Sequence, residues 1–205
     1  MKNLITQNSK LKATSKALKV KVYNFGITAY KTSKGKLTCP FADKCIKFCY
    51  AQKGAYIWSN VAKVFEERYE ATKLHDFEYK MIEEITRKKV DYLRVHDSGD
   101  FYSTEYLYKW LWIANQLPKV KFYAYTNSIK MVKDAKNDLP NNFDFIFSDS
   151  GKQSHLIDTS KDRYTKIFKS KEDLILNDFV DASKVDLYAT KYFNPDNKKV
   201  GLVFH

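Results

Sequence analysis

The sequence predicts an α/β fold built on a mostly parallel sheet, and three observations predict it. From residue 20 to residue 147, short apolar, β-branched and aromatic runs alternate with segments whose apolar residues recur at helical spacing. The connections between them are short, as strand-helix-strand crossovers require. Polar residues collect just after the apolar runs, where ligands gather in sheets of this kind.

Residues 1–19 are polar and basic, with Lys2, Lys10, Lys12, Lys16 and Lys19 spaced among Ser, Thr and Asn. They read as a basic N-terminal arm, either mobile and phosphate-neutralising or a plain edge segment, ahead of a single α/β domain over residues 20–205. Val20, Val22 and Phe25-Gly26-Ile27 mark a first strand within residues 20–29, and Thr32-Ser33-Lys34-Gly35-Lys36 a turn or hairpin tip. Trp58, Val61, Val64, Phe65 and Tyr69 recur as the buried stripe of a helix reaching about residue 73, with Glu66, Glu67 and Arg68 on its solvated face. A second helix starts near Asp76, a candidate cap, and buries Phe77, Met81, Ile82 and Ile85.

Residues 90–96 form the second strand. Ser103 then opens a helix with Leu107, Trp110, Leu111, Ala114 and Leu117 as its stripe and Pro118 just beyond its end. A third strand over 120–126, a short helix over 129–137 and a fourth strand over 143–147 follow. Residues 163–169 fit a strand or an irregular segment, 171–177 a short helix, and 185–190 with 200–205 the closing strands. No internal repeat or low-complexity linker marks a domain boundary.

Of 205 residues, 44% are hydrophobic and 16% aromatic, and the net charge is +12. Cations for phosphates beside rings for bases are what a nucleic-acid surface uses. The cations are nearly all lysine, with arginine only at Arg68, Arg87, Arg94 and Arg163, a bias that an AT-rich genome also produces. The N-terminal residues contain no apolar core of signal-peptide length, and no window approaches a membrane span. A reducing cytoplasm is the expected setting, with no membrane partner.

All 3 cysteines fall within Cys39-Pro40-Phe41-Ala42-Asp43-Lys44-Cys45-Ile46-Lys47-Phe48-Cys49. A loop that gathers three thiolates around one point suits a soft metal. A disulfide would leave one thiol over. Zinc would need a fourth ligand, from His75, His96, Asp43 or water. Incidental burial as small hydrophobes is the plain alternative, and an iron–sulfur cluster on three thiolates would keep one iron open.

The loop resembles that of radical S-adenosylmethionine enzymes, with Phe48 in the aromatic place before the last cysteine. The spacing here is five residues and then three, where that family has three and then two. The chain is also similar to the phage gene product 88 family. The matching segments are Cys39-Pro40, Cys49-Tyr50-Ala51, Gly54-Ala55-Tyr56, His96-Asp97-Ser98-Gly99-Asp100-Phe101 and Tyr125-Thr126. Many members of that family carry further cysteines near the C-terminus; this chain has none after Cys49. The resemblance implies a partial (β/α) barrel of about five or six mostly parallel strands, a [4Fe–4S] cluster on Cys39, Cys45 and Cys49, and S-adenosylmethionine beside it. It places the cofactor's ammonium group at Ser98, Gly99 and Asp100, where the usual segment has two glycines and a glutamate. An enzyme of this kind draws on a reductant such as flavodoxin or ferredoxin, in a bacterial host cell.

Candidate pocket residues follow from the strand ends: Phe48 and Tyr50 in the loop, Ser98 to Asp100 after the second strand, Thr126 and Asn127 after the third, Ser148 after the fourth. Tyr50 and Tyr125 stack on a base or simply pack. His96 is a cluster or zinc ligand, a general acid/base, or a strand-end histidine bonded to a carbonyl. Asp97 and Asp100 are catalytic candidates, and with Asp149 they could position Mg²⁺ as in nucleases; turn formation is the commoner use. His155 and His205 read as surface residues. The functional expectation is therefore an iron–sulfur, radical-type protein of a phage or mobile element acting on nucleic acid. The alternatives are a metal-stabilised nucleic-acid-binding or replication-associated protein and a Mg²⁺-dependent nuclease.

Overall fold

The computed structural model describes residues 3–203, so Lys2 of the expected arm and residues 204–205 of the expected last strand, with His205, lie outside the described residues. The strands are β1 (Val22–Phe25), β2 (Tyr92–Val95), β3 (Lys121–Thr126), β4 (Phe143–Ser148), β5 (Tyr164–Phe168), β6 (Val180–Asp181) and β7 (Lys199–Val203). They form one sheet in the order β1-β2-β3-β4-β5-β7-β6, every neighbouring pair parallel. The sheet is curled into an open half-barrel. The expected α/β partial barrel is therefore what forms, with seven strands among the described residues. The extra one, β6, is only two residues long and too short to carry a period.

Six α-helices accompany the sheet: α1 (Ser9–Leu18), α2 (Ser59–Ala71), α3 (Phe77–Lys88), α4 (Thr104–Gln116), α5 (Ile129–Asp134) and α6 (Lys171–Leu176). Alternation along the strands splits the core in two. Phe25, Leu93, Val95, Phe122 and Phe145 join Phe77 and Trp110 in the larger cluster under the helices. Val22, Tyr123, Ile146 and Val200 point the other way and meet Leu11 of α1 and Leu187. With both faces covered, the strands read as nearly continuous apolar runs. Trp110 is fully buried, with its ring 5.2 Å from Phe25 and 5.8 Å from Phe77; truncation of such a residue costs ~3–5 kcal/mol. Its helix starts where expected, Ser103 accepting from the Tyr106 N–H at 3.2 Å.

Several expectations are corrected. The described part of the basic arm holds α1, capped by Asn8, whose side chain accepts from the Leu11 N–H at 3.0 Å. Its sparse stripe hid it: only Leu11 and Thr14 are buried. Trp58, expected in the core, is 62% exposed, because α2 begins one residue later and Trp58 is still extended. Arg68, expected in solvent, is buried over the Phe65 ring and donates to the Asn3 carbonyl. Asp76 makes no cap bond; it pairs with Lys80 at 2.7 Å. Residues 185–190 do not form a strand. They hold a single 3-10 turn, Asp186–Ala189, that plugs the inner cluster.

Candidate functional site

After β1 the chain turns through a hairpin tip, where Lys31 bridges Leu37, and enters the cysteine loop. From there to Ile57 it forms three short 3-10 stretches, Lys44–Phe48, Tyr50–Gln52 and Gly54–Ile57. Backbone contacts draw this loop across the strand ends. Ala42 bridges Gly151 beyond β4, the Cys45 N–H donates to the Ser150 carbonyl at 3.3 Å, and the Asp100 N–H donates to the Thr38 carbonyl at 3.0 Å. A side chain at position 151 would collide with Asn127, so glycine is what lets these loops close.

Beneath the loop lies a cavity of about 180 Å³. Cys39, Cys45 and Cys49 all line it, as do Tyr50, Ser98, Gly99 and Asp100 from the loop and the β2 end. Thr126, Asn127 and Ser148 reach it from β3 and β4, and Arg94, Tyr125 and Thr165 line it from within the strands. The expected convergence on the strand tips is thus present for nearly every candidate. Phe48 is half-buried in the loop but does not line the cavity, Asp149 is exposed, and His75 and Asp43 are exposed away from it.

The three thiols are free. Burial pushes the Cys39 thiol well up, and Asp100 with the other two cysteines pushes it further. Burial likewise raises Cys45, whose sulfur accepts from the Asn127 side-chain amide at 3.9 Å and whose partner Ser150 works the other way. Three thiols in one loop are a donor set that a soft cation takes as thiolates, and the raised Cys39 and Cys45 are a deprotonation cost that its binding would have to offset. Among the described residues, no three His, Cys, Asp or Glu side chains stand in a ready-made coordination arrangement.

Asp100 ties two strand ends together. Its carboxylate accepts from the Phe101 N–H at 2.7 Å, the Thr126 hydroxyl at 2.5 Å and the Asn127 N–H at 2.8 Å. Burial nevertheless raises its pKa to about 6 against these three donors. Gly99 sits at φ 83, and a side chain there would strike Ile27; the close approach it permits is made by Ile27. His96 lines the cavity too, but its ring packs among Phe25, Phe101 and Tyr106 and bonds the Tyr106 hydroxyl at 2.9 Å. Burial, then Arg94, holds its pKa down to about 3, which fits a packing role and not a general base. Asp97 accepts from the Tyr56 hydroxyl at 3.1 Å and from Asn8 at 3.4 Å, and burial raises it. The Tyr50 ring is half exposed while its hydroxyl donates to the Asp97 carbonyl and receives Arg94 at 3.3 Å.

Sequence reasoning missed the pair beneath the cavity. Arg94, in mid-strand, faces the fully buried Asp186, with Nη1 3.3 Å from both carboxylate oxygens. Lys10 reaches the same carboxylate at 2.6 Å and the Tyr123 hydroxyl donates to it at 2.6 Å. A lone arginine inside an apolar run was the available signal; Asp186 offered none. A wider groove of about 860 Å³ runs between α2 and α3 and shares no lining residue with the cysteine cavity; its walls carry both signs, such as Glu70, Glu83, Lys73 and Arg87.

The model of the gene product 88 family matches residues 2–202. The Gene 88 protein of Mycobacterium phage L5 is 31% identical over 101 residues, which is 43% of this chain and 42% of that protein. The chain thus matches about two-fifths of the length of this curated relative. No solved structure matches the chain. The chain belongs to the gene product 88 family.

Proposed function

We propose that this member of the gene product 88 family is an iron–sulfur protein of radical S-adenosylmethionine type, with Cys39, Cys45 and Cys49 as cluster ligands and nucleic acid as the partner. What supports it is one observation: all three cysteines and the ends of three consecutive parallel strands, β2, β3 and β4, line a single cavity. When bound, a cluster with one open iron supplies reductive cleavage of S-adenosylmethionine and so a carbon radical. The chain's own residues do the remaining work. The backbone bonds from Cys45 to Ser150 and from Asp100 to Thr38 hold the thiols over the strand tips. The polar ends of β2, β3 and β4 bind and orient what enters, and the loop itself shields it from water. The setting is the cytoplasm of a host cell; among the described residues no helix is long and apolar enough to cross a membrane. Anaerobic purification with iron and sulfide analysis tests this, followed by paramagnetic resonance of the reduced protein with S-adenosylmethionine. A colourless protein containing zinc or no metal would overturn it.

A second proposal, a nucleic-acid-binding protein without radical chemistry, is favoured by the segment around the loop. Between Lys44 and Phe65 there is no acidic residue, while Lys44, Lys47, Lys53 and Lys63 are exposed. Ile57 and Trp58 are exposed beside them, at 64% and 62%. Rings among cations suit single strands. Binding of a single-stranded oligonucleotide that falls about tenfold in Trp58→Ala, a stacking-sized loss, with metal-free protein still active in binding, would select this second proposal.

A further inference from the structure

We propose that the deep end of the cavity is an oxyanion site, in which Arg94, the Tyr125 hydroxyl and the Thr165 hydroxyl hold a carboxylate or phosphate group of the ligand. This stands on the cavity alone and does not depend on whether the loop carries a cluster.

The first observation is an under-bonded cation. Asp186 is the shared partner of two cations, Lys10 at 2.6 Å and Arg94 at 3.3 Å. Asp186 divides one charge between the two cations, and Lys10 makes the shorter contact. Arg94 is buried, yet every hydrogen bond it makes, to Asp186, to the His96 carbonyl and to the Tyr50 hydroxyl, is 3.3 Å long. Charge-assisted bonds of a satisfied guanidinium run nearer 2.7–2.9 Å. Its Nη2 arm meets only the neutral Tyr50 hydroxyl, and Arg94 lines the cavity.

The second observation is independent. The Tyr125 hydroxyl and the Thr165 Oγ1 are both buried without a hydrogen-bond partner, and both residues line this same cavity. Thr165 is only 5% exposed. Buried hydroxyls without partners are uncommon and costly. The Arg94 guanidinium lies 4.8 Å from the centre of the Tyr125 ring, so the cation and this hydroxyl belong to one wall. Two idle hydroxyl donors beside an under-used guanidinium are what an oxyanion needs. Of the cavity's two carboxylates, Asp100 is occupied by its three donors, while Asp97 takes Tyr56 and Asn8 on Oδ2 and packs its unpartnered Oδ1 against Gly26, which does not line the cavity. A space of about 180 Å³ accepts such a group with a few atoms attached, below the ~300–1,000 Å³ of whole-ligand sites.

The test is titration of the protein with inorganic phosphate and, separately, acetate at constant ionic strength, following the Arg94 Nε–H resonance. A saturable shift at Arg94, absent at the exposed Arg87, is expected with one or both anions, and the stronger of the two assigns the group as phosphate or carboxylate. Arg94 variants also strip Asp186 of its partner, so the deciding variant is Tyr125→Phe with Thr165→Val. It removes two hydroxyls that bond nothing, should melt no lower than the parent, and should weaken anion binding about tenfold or more. No saturable shift with either anion, or equal affinity in the double variant, overturns the proposal. Neither result touches the iron and sulfide assay.

Discussion

Replacing Asp186 by Asn probes the buried charge cluster most directly. The carboxylate is fully buried. Burial alone would push its pKa up, but Arg94 and Lys10 with the Tyr123 hydroxyl outweigh that and hold it down to about 2 from the usual 3.8. A fall of that size is worth roughly 2 kcal/mol at neutral pH. The amide also turns an N–H₂ group toward Lys10, Arg94 or Tyr123, all donors, and leaves Arg94 charged in the interior. Breaking one side of a buried pair costs ~3–5 kcal/mol. Lys10 is 26% exposed and can swing its ammonium into water, so the lower end of that range, about 3 kcal/mol, is expected. Urea unfolding at pH 7 measures it. Because the folded pKa is depressed, the charge contribution is present above 3.8 and lost as pH falls toward 2, so the gap between parent and variant should shrink there. Arg94→Met added to Asp186→Asn should recover much of the loss, since no bare guanidinium remains. A cost under about 1 kcal/mol, or a double variant worse than the two single changes summed, would refute the assigned charge balance.

Three further outcomes are expected. Asp100→Asn should cost ~1–3 kcal/mol, because the amide faces three donors with one acceptor. As the raised carboxyl favours the fold below 3.8 and loses that advantage as pH rises through about 6, the gap measured by denaturation should narrow across that window. Gly99→Ala should destabilise by ~1–3 kcal/mol from positive φ and collision with Ile27, read as a lowered melting temperature even with no cofactor present. The His96 ring should stay neutral from pH 8 to pH 4 in nitrogen-15 spectra, with its charging near 3 accompanying acid unfolding; a midpoint near 6.5 would contradict its burial.

Much of the molecule was legible residue by residue. Ser103 and the stripe through Trp110 announced α4, and the polar ends of β2, β3 and β4 announced which residues share the cavity. Elements whose signal lies in partners far along the chain were not legible. α1 shows little apolar periodicity because it is anchored by Leu11, by the Thr14 hydroxyl that accepts from the Asp186 N–H, and by the Lys10 ion pair to Asp186. Trp58 looked like core because helical spacing says nothing about where a helix begins, and Arg68 looked exposed because only the N-terminal segment gives its guanidinium an acceptor.

By itself the sequence determined the parallel α/β architecture and the gathering of three thiols in one loop, since strand and helix periods and cysteine positions are local properties of the chain. The tertiary structure alone decided that Asp100 is a clamp, that Gly99 makes room for Ile27, and that His96 turns into an aromatic nest. It also decided that Arg94, Lys10 and Asp186 meet under the cavity. The physical reason is that burial and charge pairing depend on which strands lie side by side. Residues 10, 94 and 186 become neighbours only once the sheet has curled.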